Sequence, residues 1–160
     1  MPVVVVVHLT PNRPSLLPEL FTARCAARVS ETEDKLPASP GTIWFAPSNY
    51  HTLLEADGTF SLSVDPPVNF SRPSIDVLFE SAAEAYGSRL TAVVLTGAND
   101  DGARGARSIR QRGGLVVVQD PESAEAKEMP RAAISKANPQ IIASLSEIAD
   151  LISQATQAEP

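Results

Sequence analysis

The chain has 160 residues, 43% of them hydrophobic and 20% charged with both signs mixed, the size and apolar content of one globular domain. Its formal net charge of −6 argues against the broad electropositive surface that nucleic acid binding needs, and its single cysteine, Cys25, excludes an internal disulfide or a cysteine-based zinc site. That usage fits a reducing, cytoplasmic setting, and the apolar N-terminal run is far shorter than the roughly 20 residues of a membrane span, so no membrane insertion is expected.

Residues 3–7 are five consecutive valines, a β-branched run without polar alternation that predicts a strand covered on both faces, with His8 at its end. After a proline-rich stretch at 11–18, Leu17, Leu20, Phe21, Arg24, Cys25 and Arg28 recur at helical spacing. They predict an amphipathic helix with Cys25 on or near its apolar face, followed by a short strand around Val29. Residues 42–46 (TIWFA) read as another strand. Residues 51–64 (HTLLEADGTFSLSV) read as a hairpin: Asp57-Gly58 makes the turn, and Phe60, Leu62 and Val64 alternate.

Ile75, Leu78, Phe79, Ala82, Ala83 and Tyr86 follow the i, i+3, i+4, i+7 rule, with Ser74 placed to cap the helix behind Pro73. A strand at 90–96, a helix at 103–112 closed by Gly113-Gly114, a strand at 115–119 and a helix at 123–137 with a break near Pro130 follow. The last helix opens on the capping-box pattern Ser144-Leu145-Ser146-Glu147, with Leu145, Ile148, Ala149 and Ile152 as its buried stripe and fraying after Gln154. This alternation predicts an α/β fold over residues 1–160 as one domain: an open, mostly parallel, doubly wound sheet in three α/β/α layers, carrying one antiparallel hairpin.

Ligand crevices in such sheets lie beyond the carboxyl ends of the strands, and two of these ends deliver polar groups. One is His8; the other is the aspartate pair Asp100-Asp101 within "LTGANDDGARG", residues 95–105. A buried carboxylate that accepts an imidazole proton fixes the tautomer of a general base, which gives one aspartate a chemical task. From spacing alone the favoured readings are a cap on the helix that starts near Ala103 and, for His8, an ordinary strand-end histidine. His51 competes for a catalytic role. A metal site from His8, His51 and Asp101 has no supporting local pattern, and the glycines at 102, 105 and 113 miss the dinucleotide-binding spacing. Arg104, Arg107 and Arg110 step by three along one helix, either as a solvated face or as a surface for an acidic partner.

Taken together, "VVVVVHLT", "GTIWFAPSNYH", "PPVNFSRPSIDVLFESAA", "VVLTGANDDGARG" and "GGLVVVQDPESAEAKEMPRAAI" resemble the catalytic domain of the bacterial chemotaxis methylesterase family, CheB, over residues 3 to about 152. The most specific blocks are Arg72-Pro73-Ser74-Ile75-Asp76-Val77-Leu78-Phe79 and Thr96-Gly97 with Asp101-Gly102-Ala103. The resemblance implies a carboxyl ester hydrolase that uses Ser, His and Asp, without metal or organic cofactor. Its substrates would be glutamate methyl esters on the cytoplasmic helices of methyl-accepting chemoreceptors, with deamidation of receptor glutamines as a second activity. Carried over by position, His8 matches the general base and Asp101 the aspartate that orients it, whereas Asp100 and His51 fall outside the triad. On this assignment Asp101→Asn is expected to leave the fold intact.

Three departures accompany the match. The family's nucleophilic serine lies in a S-x-G-G loop after a strand that precedes the valine strand, and residues 1–160 hold no such loop; Ser48, past Pro47, is the one serine considered as a replacement. Ala98 and Asn99 stand where the family usually has methionine and glycine, and the family's receiver domain has no counterpart in these residues. The expectation is therefore a methylesterase domain whose serine strand is encoded upstream, the sheet being left with a defect. The alternative is a non-catalytic CheB-like module that docks on a receptor or other partner. A receiver-like phosphoacceptor is disfavoured for want of a strand-end lysine.

Overall fold

The computed structural model describes residues 1–8, 13 and 15–157. Its strands are β1 (Val3–Val5), β2 (Arg28–Glu31), β3 (Thr42–Phe45), β4 (His51–Leu54), β5 (Phe60–Ser63), β6 (Thr91–Val94), β7 (Leu115–Gln119) and β8 (Ile141–Ala143). Its α-helices are α1 (Leu17–Thr22), α2 (Ile75–Tyr86), α3 (Ala103–Gln111), α4 (Glu128–Ala137) and α5 (Leu145–Gln157).

The parallel strands form two three-stranded ladders, ordered β1-β3-β2 and β6-β7-β8, and β4 and β5 form the antiparallel hairpin. Each ladder has a well-buried centre. In β3, Trp44 and Phe45 are buried, and in β7, Val116, Val117 and Val118 are at most 2% exposed. Alternation along β7 sets the layers. Val116 and Val118 pack with Ala106 and Ile109 of α3 and Met129, Ala133 and Ala137 of α4, whereas Val117 packs on the other face with Ile148 of α5. The hairpin turns at Gly58, where φ is +83°, and the Asp57 carboxylate accepts the Thr59 N–H.

β1 and β6 each pair on one side only, and they do not pair with each other. Val3, Val4 and Val5 are consequently half-buried rather than enclosed on both faces. The two ladders still share one core: Val4 and Val6 pack in the same cluster as Leu90, Leu78 and Phe79. That arrangement leaves two parallel-sheet edges beside a common apolar base.

Several elements differ from the sequence expectation. α1 ends at Thr22, because Arg28–Glu31 is drawn into a parallel ladder with Thr42–Phe45 and the chain must leave the helix to reach it. Leu16, Leu20 and Phe21 stay substantially exposed, and Cys25 lies beyond the helix. Residues 11, 12 and 14 of the proline-rich stretch fall outside the described residues. The helix expected from 123 begins at Glu128 and is not broken at Pro130, which occupies the first turn where its missing N–H has no intrahelical partner to lose. A short strand at 141–143, which pairs parallel with β7, had no periodic signal. α5 keeps its capping box, with Ser144 and Glu147 bonded reciprocally, and runs to Gln157. Of its expected stripe only Ile148 is buried, against Val117 and Ala143; Leu145, Ala149 and Ile152 are exposed.

α2 and α3 approach closely through small residues. A Cβ placed on Gly105 would collide with the Cβ of Phe79 and lie 3.2 Å from the Asp76 carbonyl oxygen. Helix propensity alone favours alanine there by about 1 kcal/mol, but overpacking costs about 1 to 3 kcal/mol, and the neighbour is α2 itself rather than a movable side-chain tip. Gly105→Ala is therefore expected to lower stability by about 1 to 2 kcal/mol in urea denaturation; a raised midpoint would show that the helices can separate at little cost.

Candidate active site

The site is built where the ends of β1 and β6 meet the start of α2. The loop after β6 turns at Gly102, whose φ is +89° and whose position would bring a Cβ within 2.7 Å of Ile75 Cγ2. Glycine at this point lets Asp101 press against the first turn of α2. The Asp101 carboxylate is completely buried and accepts five hydrogen bonds. Oδ1 receives the Ser74 hydroxyl at 2.7 Å, the Asp76 N–H at 3.0 Å and the Asn69 amide at 3.1 Å. Oδ2 receives the Ile75 N–H at 2.6 Å and His8 Nε2 at 2.8 Å.

The sequence offered Asp101 a choice between capping the helix at Ala103 and orienting His8. The structure has it orient the imidazole and cap a different helix, α2, through the N–H groups of Ile75 and Asp76. Ser74 holds the N-cap position of α2 without capping it; its hydroxyl donates to Asp101 instead. Asp76 returns the favour across the helix pair, accepting the Gly105 N–H in the first turn of α3 at 2.8 Å. Asn69 lies between the two carboxylates and gives its amide nitrogen to both, at 3.0 Å to Asp76 and 3.1 Å to Asp101. Asn69, Ser74 and Asp76 were not singled out as site residues from spacing. Ser74 carried an N-cap signal, and all three lie in the family-like stretch "PPVNFSRPSIDVLFESAA".

The two carboxyls respond oppositely to burial. Desolvation pushes Asp101 upward, but the bonds from His8, the Ile75 N–H, the Ser74 hydroxyl and the Asp76 N–H outweigh it and hold the group at about 2. For Asp76 desolvation prevails, helped by the negative charge of Asp101, and its carboxyl is raised despite the Gly105 N–H, the Asn69 amide and the nearby Arg104.

His8 leaves 28% of its side chain exposed and presents Nε2 to the buried carboxylate. With the proton donated from Nε2, Nδ1 is the basic nitrogen, the reverse of the serine-protease arrangement in which Nδ1 faces the aspartate. An imidazole held this way can take a proton from a hydroxyl and is stabilised as the imidazolium by the carboxylate behind it.

The remaining candidates are elsewhere. Asp100 is exposed and pairs with Lys136 at 3.0 Å. His51 is buried, accepts the Ser74 N–H on Nδ1 at 3.2 Å and donates from Nε2 to the Pro66 carbonyl at 3.1 Å. With both nitrogens committed to backbone, it supports the start of α2 and is not available as a metal ligand. The Ser48 hydroxyl donates to the Arg13 carbonyl. Arg104 pairs with Glu80 at 2.6 Å and Arg110 donates to the Asn138 carbonyl, so the arginine row is largely answered within the chain. Asn99 Oδ1 accepts the Asp101 N–H, fixing the loop that carries Ala98. Two shallow concavities of about 310 and 360 Å³, beside β2–β3 and beside β8–α5, touch neither His8 nor Asp101.

The depressed Asp101 carboxyl predicts an acid limb in stability. Its contribution is fully present above the unfolded value of 3.8 and is lost as pH falls toward about 2, an amount of about 2 kcal/mol. Asp76 has the opposite sign: its native carboxylate is disfavoured, so its protonation on acidification returns part of that loss. Contrary to the sequence expectation, Asp101→Asn disturbs the fold, because it replaces an acceptor oxygen with an NH₂ that faces backbone donors. It should cost about 2 to 4 kcal/mol at neutral pH and flatten the acid limb, as read from urea midpoints between about pH 6 and 2. An unaltered limb would assign the acid sensitivity to other groups.

The family described as CheB methylesterase matches residues 1–152. A Leptospira interrogans relative with a provisional methylesterase/glutaminase name is 46% identical over 151 residues, covering 94% of this chain and 78% of its own. The protein-glutamate methylesterase FrzG of Myxococcus xanthus is 39% identical over 127 residues, covering 79% of this chain but 38% of its own. The crystal structure of the Thermotoga maritima CheB methylesterase catalytic domain superposes with a TM-score of 0.90 at 30% identity, over 96% of this chain and 83% of that one. With the family match spanning nearly the whole chain and the α/β/α layers agreeing, this chain belongs to the CheB methylesterase family.

Proposed function

We propose that this domain hydrolyses glutamate methyl esters on the cytoplasmic helices of chemoreceptors, and glutamine side chains there by the same acyl chemistry with ammonia leaving. The observation that carries this is the contact of His8 with the fully buried, ionised Asp101 at 2.8 Å, at the carboxyl ends of two parallel strands. Relatives in the family carry the name protein-glutamate methylesterase, which supports the substrate class. The cytoplasm is the proposed setting, consistent with a single cysteine and with no helix among the described residues long and apolar enough to cross a membrane.

The nucleophile in this proposal is a serine carried on a further parallel strand that enters between β1 and β6. The free edges of these two strands support that position, and the strand would join both ladders into one sheet ordered β2-β3-β1-x-β6-β7-β8. Its carboxyl end would open between His8 and Asp101, where ligand crevices of such sheets lie. The serine hydroxyl attacks the ester carbonyl as His8 Nδ1 takes its proton, with Asp101 stabilising the imidazolium. The imidazolium returns the proton to the departing methoxide, methanol leaves, and water hydrolyses the acyl-serine by the same route, releasing the glutamate carboxylate.

His8→Ala is the cleaner test of the pair, because Asp101 keeps four other donors and the fold should shift by no more than about 1 kcal/mol. The product of the complete reading frame should release methanol from a methylated receptor fragment, His8→Ala should reduce that release about 10⁴- to 10⁶-fold, and residues 1–160 alone should release none. A silent complete protein, or an active His8→Ala, would overturn the proposal.

A further inference from the structure

Beside the dyad, the chain makes a two-residue turn. Val68 and Ser71 exchange backbone hydrogen bonds at 2.9 and 3.1 Å, and the residues between them, Asn69 and Phe70, have φ of +49° and +61°. Both therefore occupy the left-handed region that such turns demand and that glycine or asparagine meets at least cost. Asn69 suits its position twice over, since its amide also holds Asp101 and Asp76. Phe70 does not suit its own: a bulky aromatic is strained there, and its ring is fully exposed. The turn is held from behind, where Arg72 Nη1 donates to the Val64 and Asp65 carbonyls at 2.7 and 3.0 Å and the Ser71 hydroxyl donates to the Asn69 carbonyl.

Among the described residues, nothing offsets the strain and full exposure of this apolar ring on its anchored turn. The Phe70 Cα is one peptide step, about 3.8 Å, from that of Asn69, whose side chain touches Asp101. The turn that carries Phe70 is therefore continuous with the residues that hold the His8–Asp101 pair. We propose that Phe70 is the substrate-docking residue of this domain, its ring packing into the apolar seam between two receptor helices while the esterified glutamate beside that seam reaches His8. This rests on the methylesterase reading above and names the feature by which a convex helical surface is engaged. Burying a phenyl ring removes about 150 to 250 Å² from water, the scale of an interface hot spot, and the hydrogen-bonded turn fixes the backbone from which the ring projects.

Docking and folding make opposite demands on this residue, which separates them experimentally. In the product of the complete reading frame, Phe70→Gly relieves the left-handed strain and should raise the melting temperature by about 2 to 4 °C. The same substitution should weaken binding of a methylated receptor cytoplasmic fragment, and raise its KM, at least about tenfold; Phe70→Tyr should restore both. Unchanged binding and KM in Phe70→Gly overturn the inference while methanol release leaves the methylesterase reading standing. A lowered melting temperature also overturns it, by showing that the ring is covered by the protein's own fold. If the wild-type protein neither binds the fragment nor releases methanol, the reading beneath it fails as well.

Discussion

A carboxylate removed from water must be repaid in hydrogen bonds, and Asp101 is removed completely. Its five donors come from three separate stretches of chain: the end of β1, the turn at Asn69, and the first residues of α2. The same contact that orients an imidazole therefore closes the tertiary structure around it. Helix N-termini favour negative charge, so the position that keeps Asp101 ionised also supplies α2 with the cap that Ser74 gives up. Orientation of the imidazole and termination of α2 thus converge on one carboxylate.

Asp76 extends this coupling to α3. Each helix of the pair α2–α3 has an N-terminal N–H satisfied by a carboxylate held next to the other helix, and Gly105 allows the approach that makes both bonds short. Two buried acids so near one another would repel, and Asn69 answers by offering a donor to each. Their unequal donor counts separate them: Asp101, with five, is stabilised as an anion, while Asp76, with two, is pushed toward its neutral form. The residue that acts on the imidazole is the one whose charge is best secured.

The sheet places this cluster by a simpler rule. In parallel ladders every strand delivers its following loop to the same end, so His8 after β1 and Asp101 after β6 arrive on one side although 93 residues separate them. The ladders meet through apolar contacts at their base, not through backbone pairing, which leaves the edges of β1 and β6 free beneath the dyad. The His8–Asp101 contact is thus flanked by one unpaired edge from each ladder.

Local pattern determined a large part of this molecule from sequence. The valine run, the Asp57-Gly58 hairpin, the apolar stripe of α2, the strand at 115–119 and the Ser144–Glu147 box each carry their own periodicity or turn chemistry, so they were legible residue by residue. His8 and Asp101 were legible as strand-end polar groups and through family motifs. What pattern could not settle is anything decided by a partner distant in sequence. α1 stops early because β2 is claimed by β3, β8 exists because β7 offers it an edge, and Ile148 alone of its stripe is buried because α5 sits on a narrow ladder. Likewise the sequence placed a cap before α2 and an aspartate before α3, but only the packing of the two helices exchanged their roles, since a hydrogen bond goes to the nearest desolvated donor rather than to the nearest in sequence.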